Sequence, residues 1–418
     1  MDSFRIIGGQ PLFGQLTVSG SKNAALPIIA ASLLFKEKVT LTNIPELADI
    51  RTMIKLLNIL GAETTFENNR LTIDPTDLRS DQAPYELVKT MRASIYVMGP
   101  LLATKGHTRV SFPGGCSLGV RPIDIHLKGF EKLGASIEVN GGDIVGKAKH
   151  LKGSEINLAF PSVGATCNLI MAAVLAKGIT KMKNFAKEPE IWDLVEFLNR
   201  SGAKIMRKEE YIEIEGVETL SPIEYSVMPD RIELGTLGAA ALITGGEIKL
   251  KWQHSDIISS FREKLEDMGH HVHLDEGEGI YTFKAGKMKG NIDVRTLPYP
   301  GFPTDLQPLL GVLLTLNKGT SHIHETIFEN RFMWVPELER MGADIHKEGE
   351  SIIINGVKTL QAAPIMASDI RAGASLVLAA LAAKGETVIR RIYHIDRGYE
   401  NLEKKLSSVG AKIFREKI

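Results

Sequence analysis

The sequence contains almost no cysteine and no excess of charge of either sign. Two cysteines among 418 residues give no disulfide framework, which favours a reducing, cytosolic compartment. Lysine plus arginine and aspartate plus glutamate each number 50, so the formal net charge is zero. Because a surface that binds nucleic acid usually leaves a basic excess, we expect no nucleic-acid partner, although a local basic pocket is compatible with this balance.

Long apolar runs and common nucleotide-binding motifs are absent as well. The longest apolar stretches, such as ASLVLAALAA over residues 374–383, are too short to span a bilayer and predict buried helices. The N-terminus lacks the apolar segment of a signal peptide, so we expect none. GxGxxG and P-loop motifs do not occur. His270, His271 and His273 lie in a strand-like run without cysteine or paired carboxylates, so we expect neither a metal nor a cofactor.

One phrase recurs six times: an amphipathic segment, a glycine and a strand-like run, as in LLNILGAETTF and LSSVGAKIFR. The shared glycines are Gly61, Gly134, Gly202, Gly269, Gly342 and Gly410, at successive spacings of 73, 68, 67, 73 and 68 residues. The phrase predicts an amphipathic helix that ends at a glycine with positive φ, followed by an alternating strand.

Each repeat has a second helix that is apolar nearly all round, such as IRAGASLVLAALAA, which predicts burial. Six units of about 70 residues predict an α/β chain with two domains of three units, helices inside and sheets outside. Several of these helices begin near a charged residue, namely Lys22, Arg92, Asp305 and Arg371. Because helix N-termini attract anions, several such ends at one cleft predict an anion site without a net positive charge.

Cys116 lies in PGGCSLGVRP, whose glycines permit a mobile loop. Arg121, five residues on, is suited to stabilise a thiolate or bind an anion. The alternative is a bystander thiol. Cys167, in an apolar helical segment, is expected to lie in the core.

Other polar residues stand at predicted helix starts. Lys22 and Asn23 follow small residues, which suits phosphate or carboxylate binding; the alternative is ordinary capping by Ser21 with a solvated lysine. Asp305 follows a proline-rich approach and is either a positioned carboxylate or an N-cap. The remaining candidates offer guanidinium forks, with surface ion pairs as the alternative: Arg331, Arg371 and Arg397.

Several long motifs resemble a known family. GSKNAALPIIAASLL, PGGCSLGVRPIDIHLKGFEKLGA, PSVGAT, PYPGFPTDLQP, IFENRFMWVPELERMGA and SDIRAGASLVLAALAAKGET are similar to those of the bacterial UDP-N-acetylglucosamine 1-carboxyvinyltransferases, from end to end of the chain. The resemblance implies the enolpyruvyl transferase fold, a two-domain inside-out α/β barrel of six helix–strand repeats. It implies one domain over residues 22–229, another over 1–21 and 230–418, and an active site in the cleft between them.

The resemblance also implies an activity. The enolpyruvyl group of phosphoenolpyruvate would pass to the 3-hydroxyl of UDP-N-acetylglucosamine with release of phosphate, by addition and elimination through a tetrahedral intermediate. This is the first committed step of peptidoglycan synthesis, in the cytoplasm, and serves cell-wall biogenesis, cell shape and cell division. Two rival hypotheses are the sister 5-enolpyruvylshikimate-3-phosphate synthase, whose GNAGT-type motif is missing, and a silent homologue that binds UDP-sugar and regulates a partner.

Residue roles follow from the same resemblance. Cys116 would deliver a proton to the methylene carbon and Asp305 would take the proton of the 3-hydroxyl, with Lys22 and Arg397 also catalytic. The residues implied for phosphoenolpyruvate are Lys22, Asn23, Arg121, Arg331, Arg371 and Arg397. The residues implied for the UDP-sugar are Arg92, Arg121, Pro122, Ile123, Asp124, Ile125, Ser162, Val163, Gly164, Asp305 and Ile327.

Two further expectations concern inhibition and the diphosphate. We expect the covalent inhibitor of the family, fosfomycin, to alkylate Cys116. The run before SVGAT reads INLAFP and lacks a basic residue that some members carry near the diphosphate. Lys147 and Lys149 are the candidates to approach it instead.

Overall fold

The computed structural model describes residues 2–112 and 123–417. Within these ranges the chain forms two compact units. The N-terminal unit comprises residues 20–112 and 123–228, and the C-terminal unit comprises residues 2–19 and 229–417. No helix in these ranges combines the length and apolarity that crossing a membrane requires.

The six repeat glycines end six amphipathic segments, as the sequence predicts. All six have positive φ, between 87° and 109°, which glycine adopts without steric cost. In the described residues the amphipathic helices are Ala48–Leu60, Asp124–Lys132, Pro189–Arg200, Ser259–Asp267, Val335–Arg340 and Leu402–Ser408. Each glycine is followed by a strand, so the predicted repeat is confirmed.

The described residues also form six four-stranded sheets with one topology: an edge strand lies parallel to its neighbour, and two antiparallel strands follow. In the N-terminal unit these are Glu224–Ser226, Val39–Thr42, Arg70–Asp74 and Glu63–Glu67; Gln82–Ala83, His107–Ser111, Asp143–Lys147 and Ser136–Asn140; and Glu155–Asn157, Ile179–Lys183, Tyr211–Glu215 and Lys204–Arg207. In the C-terminal unit they are Phe13–Thr17, Glu247–Lys251, Ile280–Lys284 and His271–Asp275; Asp293–Arg295, Thr320–His324, Ser351–Asn355 and Asp344–Glu348; and Ile365–Met366, Glu386–Arg390, Asp2–Ile7 and Lys412–Lys417.

Strands distant in sequence complete the sheets of each unit. Asp2–Ile7 pairs antiparallel with both Glu386–Arg390 and Lys412–Lys417, so the two ends of the chain share a sheet. In the N-terminal unit, Glu224–Ser226 forms the edge beside Val39–Thr42. In the N-terminal unit the first and last repeats are therefore joined directly through backbone hydrogen bonds. In the C-terminal unit the segment 2–17 links them, because Asp2–Ile7 pairs with the last repeat and Phe13–Thr17 pairs with Glu247–Lys251 of the first.

Six helices of the described residues are buried almost all round, as their apolar composition predicts. They are Lys22–Ala31, Met98–Lys105, Val163–Ala173, Arg231–Ile243, Gln307–Thr315 and Ile370–Ala382. Within each unit they pack against one another. A Cβ on Gly99 would lie only 2.3 Å from the backbone oxygen of Asn168, so this glycine permits close approach of two helices. The mixed α/β fold with helices inside and sheets outside is confirmed.

Two buried helices begin later than the sequence predicts. Arg92 and Asp305 lie in the 3₁₀ segments Arg92–Val97 and Thr304–Leu306, which precede the α-helices. Pro100 and Pro308 lie in the first turns of those helices. Because proline has no N–H to donate to the carbonyl four residues earlier, the preceding turn winds as a 3₁₀-helix. The remaining short helices are Ser32–Leu34, Tyr85–Val88 and Ile392–Arg397.

Candidate active site

Lys22 is buried at the start of its helix. Ser21 caps the helix by accepting a hydrogen bond from the Ala24 N–H over 3.3 Å. Lys22 is only 8% exposed, and its Nζ lies 3.4 Å from Oδ2 of the buried Asp49. The capping role of Ser21 is thus confirmed, but the solvated lysine that accompanied it is wrong, because Asp49 compensates a charge removed from water. Asn23 is partly buried beside it.

The helix Val163–Ala173 has an open N-terminus. The Ser162 hydroxyl accepts from the Ala165 N–H over 3.3 Å. Among the described residues, the N–H groups of Val163 and Gly164 have no hydrogen-bond acceptor. Free N–H groups at the positive end of a helix dipole are suited to bind a phosphate oxygen. The three residues expected at the diphosphate, Ser162, Val163 and Gly164, therefore lie together at one helix N-terminus that presents two free backbone donors.

Two helices of the C-terminal unit have their N-termini filled by aspartate. Oδ1 of Asp230 accepts from the N–H groups two and three residues on, at 2.7 and 3.1 Å. Asp369 does the same for the helix Ile370–Ala382, at 2.9 and 3.0 Å. Each carboxylate already occupies the site that an external anion would take. The expectation of an anion site at a helix end therefore does not hold where Arg371 lies.

Asp305 lies between two buried arginines. Nη2 of Arg331 donates to its Oδ1 over 2.5 Å, and Nη2 of Arg371 donates to its Oδ2 over 3.0 Å. The arginine side chains are 1% and 4% exposed, whereas that of Asp305 is 27% exposed. Within the part of the chain that the structure describes, no side chain caps the following helix, so the N-cap alternative is wrong. Arg331 and Arg371 are buried, so their ion pairs with Asp305 are not surface ion pairs. Two guanidinium groups hold both oxygens of the Asp305 carboxylate, which remains partly exposed to a ligand.

Aromatic and charged neighbours keep Arg371 cationic despite its burial. Desolvation opposes the charge, but Tyr399 and Asp305 together hold the pKa of Arg371 above its ordinary value. The guanidinium carbon lies 5.4 Å from the centre of the Tyr399 ring, within the range of a cation–π contact. The Tyr399 hydroxyl is in turn hydrogen-bonded to Thr236 at 2.9 Å. Arg371 is thus held as a fixed positive charge.

Glu325 fixes the loop that carries Ile327. Its Oε1 accepts from the N–H groups of Ile327 and Phe328 at 2.9 and 3.1 Å, and its Oε2 accepts from the Thr304 hydroxyl at 3.1 Å. Glu325 is 3% exposed. Because Thr304 precedes Asp305, this carboxylate joins the Ile327 loop to the turn that positions Asp305.

Arg397 ends the 3₁₀ segment Ile392–Arg397. The next residue, Gly398, packs so tightly on Ile370 that a Cβ would lie 2.4 Å from its Cγ2. Arg397 therefore lies beside the start of the helix that carries Arg371.

Further predicted residues lie in the N-terminal unit. Arg92 begins its 3₁₀ segment and is partly buried. Ile123 and Ile125 are buried, while Asp124 is exposed at the start of a helix and forms an ion pair with Lys128 at 3.0 Å. Lys147 and Lys149 are exposed. Three predicted residues lie outside the described residues: Cys116, Arg121 and Pro122. Cys167 is 1% exposed, which confirms its place in the core.

Sequence reasoning missed the acidic residues that orient these basic and backbone groups. Asp49 and Glu325 pair with groups 27 and 21 residues away in sequence, so local pattern gives no partner. Neither acidic residue stands beside an apolar run, since Glu325 lies between His324 and Thr326 and Asp49 is followed by Ile50 and Arg51, so the local sequence does not predict their burial.

The fold is that of the enolpyruvyl transferases. The enolpyruvyl transferase NikO from Streptomyces tendae matches with a TM-score of 0.90 over 99% of this chain and 98% of that chain, at 23% identity. EPSP synthase from Acinetobacter baumannii matches with a TM-score of 0.77 over 100% of both chains, at 18% identity. The family model for EPSP synthase (3-phosphoshikimate 1-carboxyvinyltransferase) matches residues 6–406.

Similarity to curated proteins is higher. UDP-N-acetylglucosamine 1-carboxyvinyltransferase of Nitratidesulfovibrio vulgaris strain Hildenborough is 52% identical over 420 residues, covering 100% of both chains. The protein of the same name from Idiomarina loihiensis is 50% identical, covering 99% of both. The chain belongs to the UDP-N-acetylglucosamine 1-carboxyvinyltransferase family, within the enolpyruvyl transferases, and the resemblance seen in the sequence is confirmed.

Proposed function

We propose that this chain transfers the enolpyruvyl group of phosphoenolpyruvate to the 3-hydroxyl of UDP-N-acetylglucosamine and releases phosphate. The observation that carries this proposal is 52% identity, over the full length, to a curated protein of that name. The substrates are small molecules. The reaction is the committed step into peptidoglycan, and a cytosolic location remains a prediction from the two-cysteine composition.

In the proposed reaction, addition comes first. The 3-hydroxyl oxygen forms a bond to C2 of phosphoenolpyruvate while C3 gains a proton, giving a tetrahedral intermediate that keeps both phosphate and carboxylate. In elimination, the bond from C2 to the phosphate oxygen breaks, C3 loses a proton and the vinyl group re-forms. Each step therefore requires a proton donor or acceptor on either side of the reacting carbons.

Asp305 is the proposed acceptor of the hydroxyl proton. Its partly exposed carboxylate is anchored through Nη2 of Arg331 and Nη2 of Arg371. The two hydrogen bonds fix its orientation, and the cationic partners remain charged when the carboxylate gains a proton. Arg331 and Arg371, with Arg397, would then offset the phosphate and carboxylate charges of the intermediate.

Lys22 and Asn23 are the proposed ligands of phosphoenolpyruvate in the N-terminal unit. The Lys22 ammonium is held beside Asp49 rather than in bulk water, so a phosphate oxygen would meet an oriented donor with little loss of side-chain entropy. Arg121 would add a further cation. The helix end at Ser162, Val163 and Gly164 is proposed to take the diphosphate, with Arg92, residues 121–125, Asp305 and Ile327 completing the sugar-nucleotide site.

Cys116 is proposed to deliver the proton to C3, and a thiol with that role is also open to alkylation by fosfomycin. A cysteine in a glycine-rich loop suits an acid that closes over substrates already bound, since closure excludes water from the reaction.

Phosphate release from phosphoenolpyruvate tests this function. We expect release that depends on UDP-N-acetylglucosamine and falls sharply in Cys116→Ala and Asp305→Asn, with the acceptor shikimate 3-phosphate inactive. Release with shikimate 3-phosphate instead would assign the chain to the sister activity. If the chain binds the UDP-sugar tightly but releases no phosphate with either acceptor, the hypothesis of a silent, regulatory homologue would be supported.

A further inference from the structure

Asn168 lies in the middle of the helix Val163–Ala173 and is fully buried. The backbone N–H of Gly99 donates to its Oδ1 over 2.8 Å, and its Nδ2 donates to the carbonyl of Ile95 over 2.8 Å. If the amide were reversed, its carbonyl would face a carbonyl and its NH₂ would face an N–H. The two backbone groups therefore determine which end of the Asn168 amide is the donor.

The orientation of Asn168 determines the tautomer of His126. Nδ2 of Asn168 also lies 3.2 Å from Nδ1 of His126, so Nδ1 must accept this hydrogen bond. Burial, and secondarily Arg92, lower the pKa of His126 to about 4, with Asp124 acting in the opposite direction. The imidazole is therefore neutral near pH 7, and its single N–H is on Nε2.

Nε2 of His126 faces the open end of the helix Val163–Ala173. A Cβ on Gly164 would lie 3.2 Å from Nε2 and 3.3 Å from Cε1. The imidazole is 5% exposed, and within the described ranges Nε2 has no hydrogen-bond partner. The N–H groups of Val163 and Gly164 likewise lack acceptors in those ranges. A buried side-chain donor and two backbone donors thus lie at one helix end.

We propose that His126 is a substrate-binding residue that donates a hydrogen bond from Nε2 to a diphosphate oxygen of the UDP-sugar at this helix end. This inference rests on the proposed function. The sequence lacks the basic residue expected near this diphosphate, and Lys147 and Lys149 are exposed. A neutral, oriented donor supplemented by the helix dipole takes that place. Asn168 supports the contact indirectly by keeping the proton on Nε2.

Binding of UDP, which retains the diphosphate without the sugar, provides the direct test. Calorimetric titration would compare wild type with His126→Phe, which keeps a planar ring without a donor, and with His126→Gln, which keeps an N–H. We expect the phenylalanine variant to bind UDP about 10-fold or more weakly, and the glutamine variant to recover part of the loss. The KM for UDP-N-acetylglucosamine would rise in parallel, with the KM for phosphoenolpyruvate little changed.

The imidazole ¹⁵N chemical shifts test the tautomer and the contact without relying on a variant. In wild type we expect a protonated Nε2 and an unprotonated Nδ1, with the Nε2 resonance moving when UDP is added. In Asn168→Asp, the carboxylate would accept from Nδ1–H, so the proton would leave Nε2 or the ring would become cationic. An Nε2 resonance insensitive to saturating UDP would overturn the proposal even if a variant misfolded.

The failure of this inference can be told apart from failure of the proposed function. If wild type turns over UDP-N-acetylglucosamine but His126→Phe binds UDP equally well, the function stands and the role of His126 is wrong. If wild type binds neither UDP nor UDP-sugar, the proposed function fails first. A folded His126→Phe, shown by an unchanged thermal unfolding midpoint, makes the comparison valid.

Discussion

Arg331 donates a hydrogen bond to Asp305 over 2.5 Å from a side chain that is only 1% exposed. Its Nε also donates to the carbonyl of Thr304 over 2.9 Å. One guanidinium group therefore holds both the backbone of the 3₁₀ turn and the carboxylate within it. The proposed base is thus positioned through an arginine that water scarcely reaches.

Substituting Asp305→Asn should remove the proposed base. We expect turnover to fall ~10²- to 10⁴-fold, the usual contribution of a general acid or base. Single-turnover phosphate release measures this loss independently of product dissociation. Asp293→Asn is a matched control, because the Asp293 side chain is 83% exposed in the same unit. Near-normal release in Asp305→Asn would assign proton abstraction to another group.

Substituting Arg331→Met should destabilise the protein as well as impair it. Removing one partner of a buried ion pair leaves the other charge uncompensated and lowers the free energy of unfolding by about 3–5 kcal/mol. Because Asp305 is partly exposed and keeps its ion pair with Arg371, we expect a smaller loss here, about 2–4 kcal/mol. The free energy of unfolding in urea measures this cost. Arg340→Met, whose guanidinium is 60% exposed, should change it by less than about 1 kcal/mol. Equal stabilities for the two variants would contradict the structural role of Arg331.

The repeated helix–glycine–strand units can be predicted from the sequence, because they depend on local residue preferences. The positive φ of Gly61 and of Gly410 follows from an amphipathic helix that ends before an alternating strand. The 3₁₀ turn before Gln307 was missed, although Pro308 provides its physical reason. Pro308 in the first turn marks where the α-helix begins.

The contacts that complete the site could not be predicted from the sequence pattern. Asp305 meets Arg331 and Arg371 across 26 and 66 residues, and no periodicity specifies such pairs. The strand Asp2–Ile7 likewise joins a sheet built from the other end of the chain. Resemblance to a family supplied candidate residues, but only tertiary packing gives their partners and burial.

Asp193 should make the stability of the protein depend on pH. Burial, and to a lesser degree Glu190 and Glu196, raise its pKa from 3.8 to about 6, against hydrogen bonds from Tyr225 and Met228. The folded protein therefore holds this proton more tightly than the unfolded chain. The protonated Asp193 therefore contributes about 2–3 kcal/mol to the free energy of unfolding, and this contribution is fully present below about pH 4 and is lost as pH rises through 6.

Urea unfolding of wild type and Asp193→Asn between pH 4 and pH 8 measures this contribution. Asparagine does not titrate, so the difference in unfolding free energy between the two proteins should shift in favour of the variant as pH rises through this window. Groups common to both proteins cancel in the difference. A difference that does not vary with pH would place the pKa of Asp193 near its ordinary value.

The two cysteines should differ in reactivity. Burial raises the pKa of the Cys167 thiol well above its ordinary value, and this side chain is 1% exposed, so neither a thiolate nor access is available. Cys116 is proposed to act at the substrate and to react with fosfomycin. Intact-protein mass spectrometry should show one adduct in wild type and in Cys167→Ala, and none in Cys116→Ala, with loss of phosphate release following adduct formation. An adduct that persists in Cys116→Ala, or full activity after complete alkylation, would separate the reactive thiol from the proposed acid.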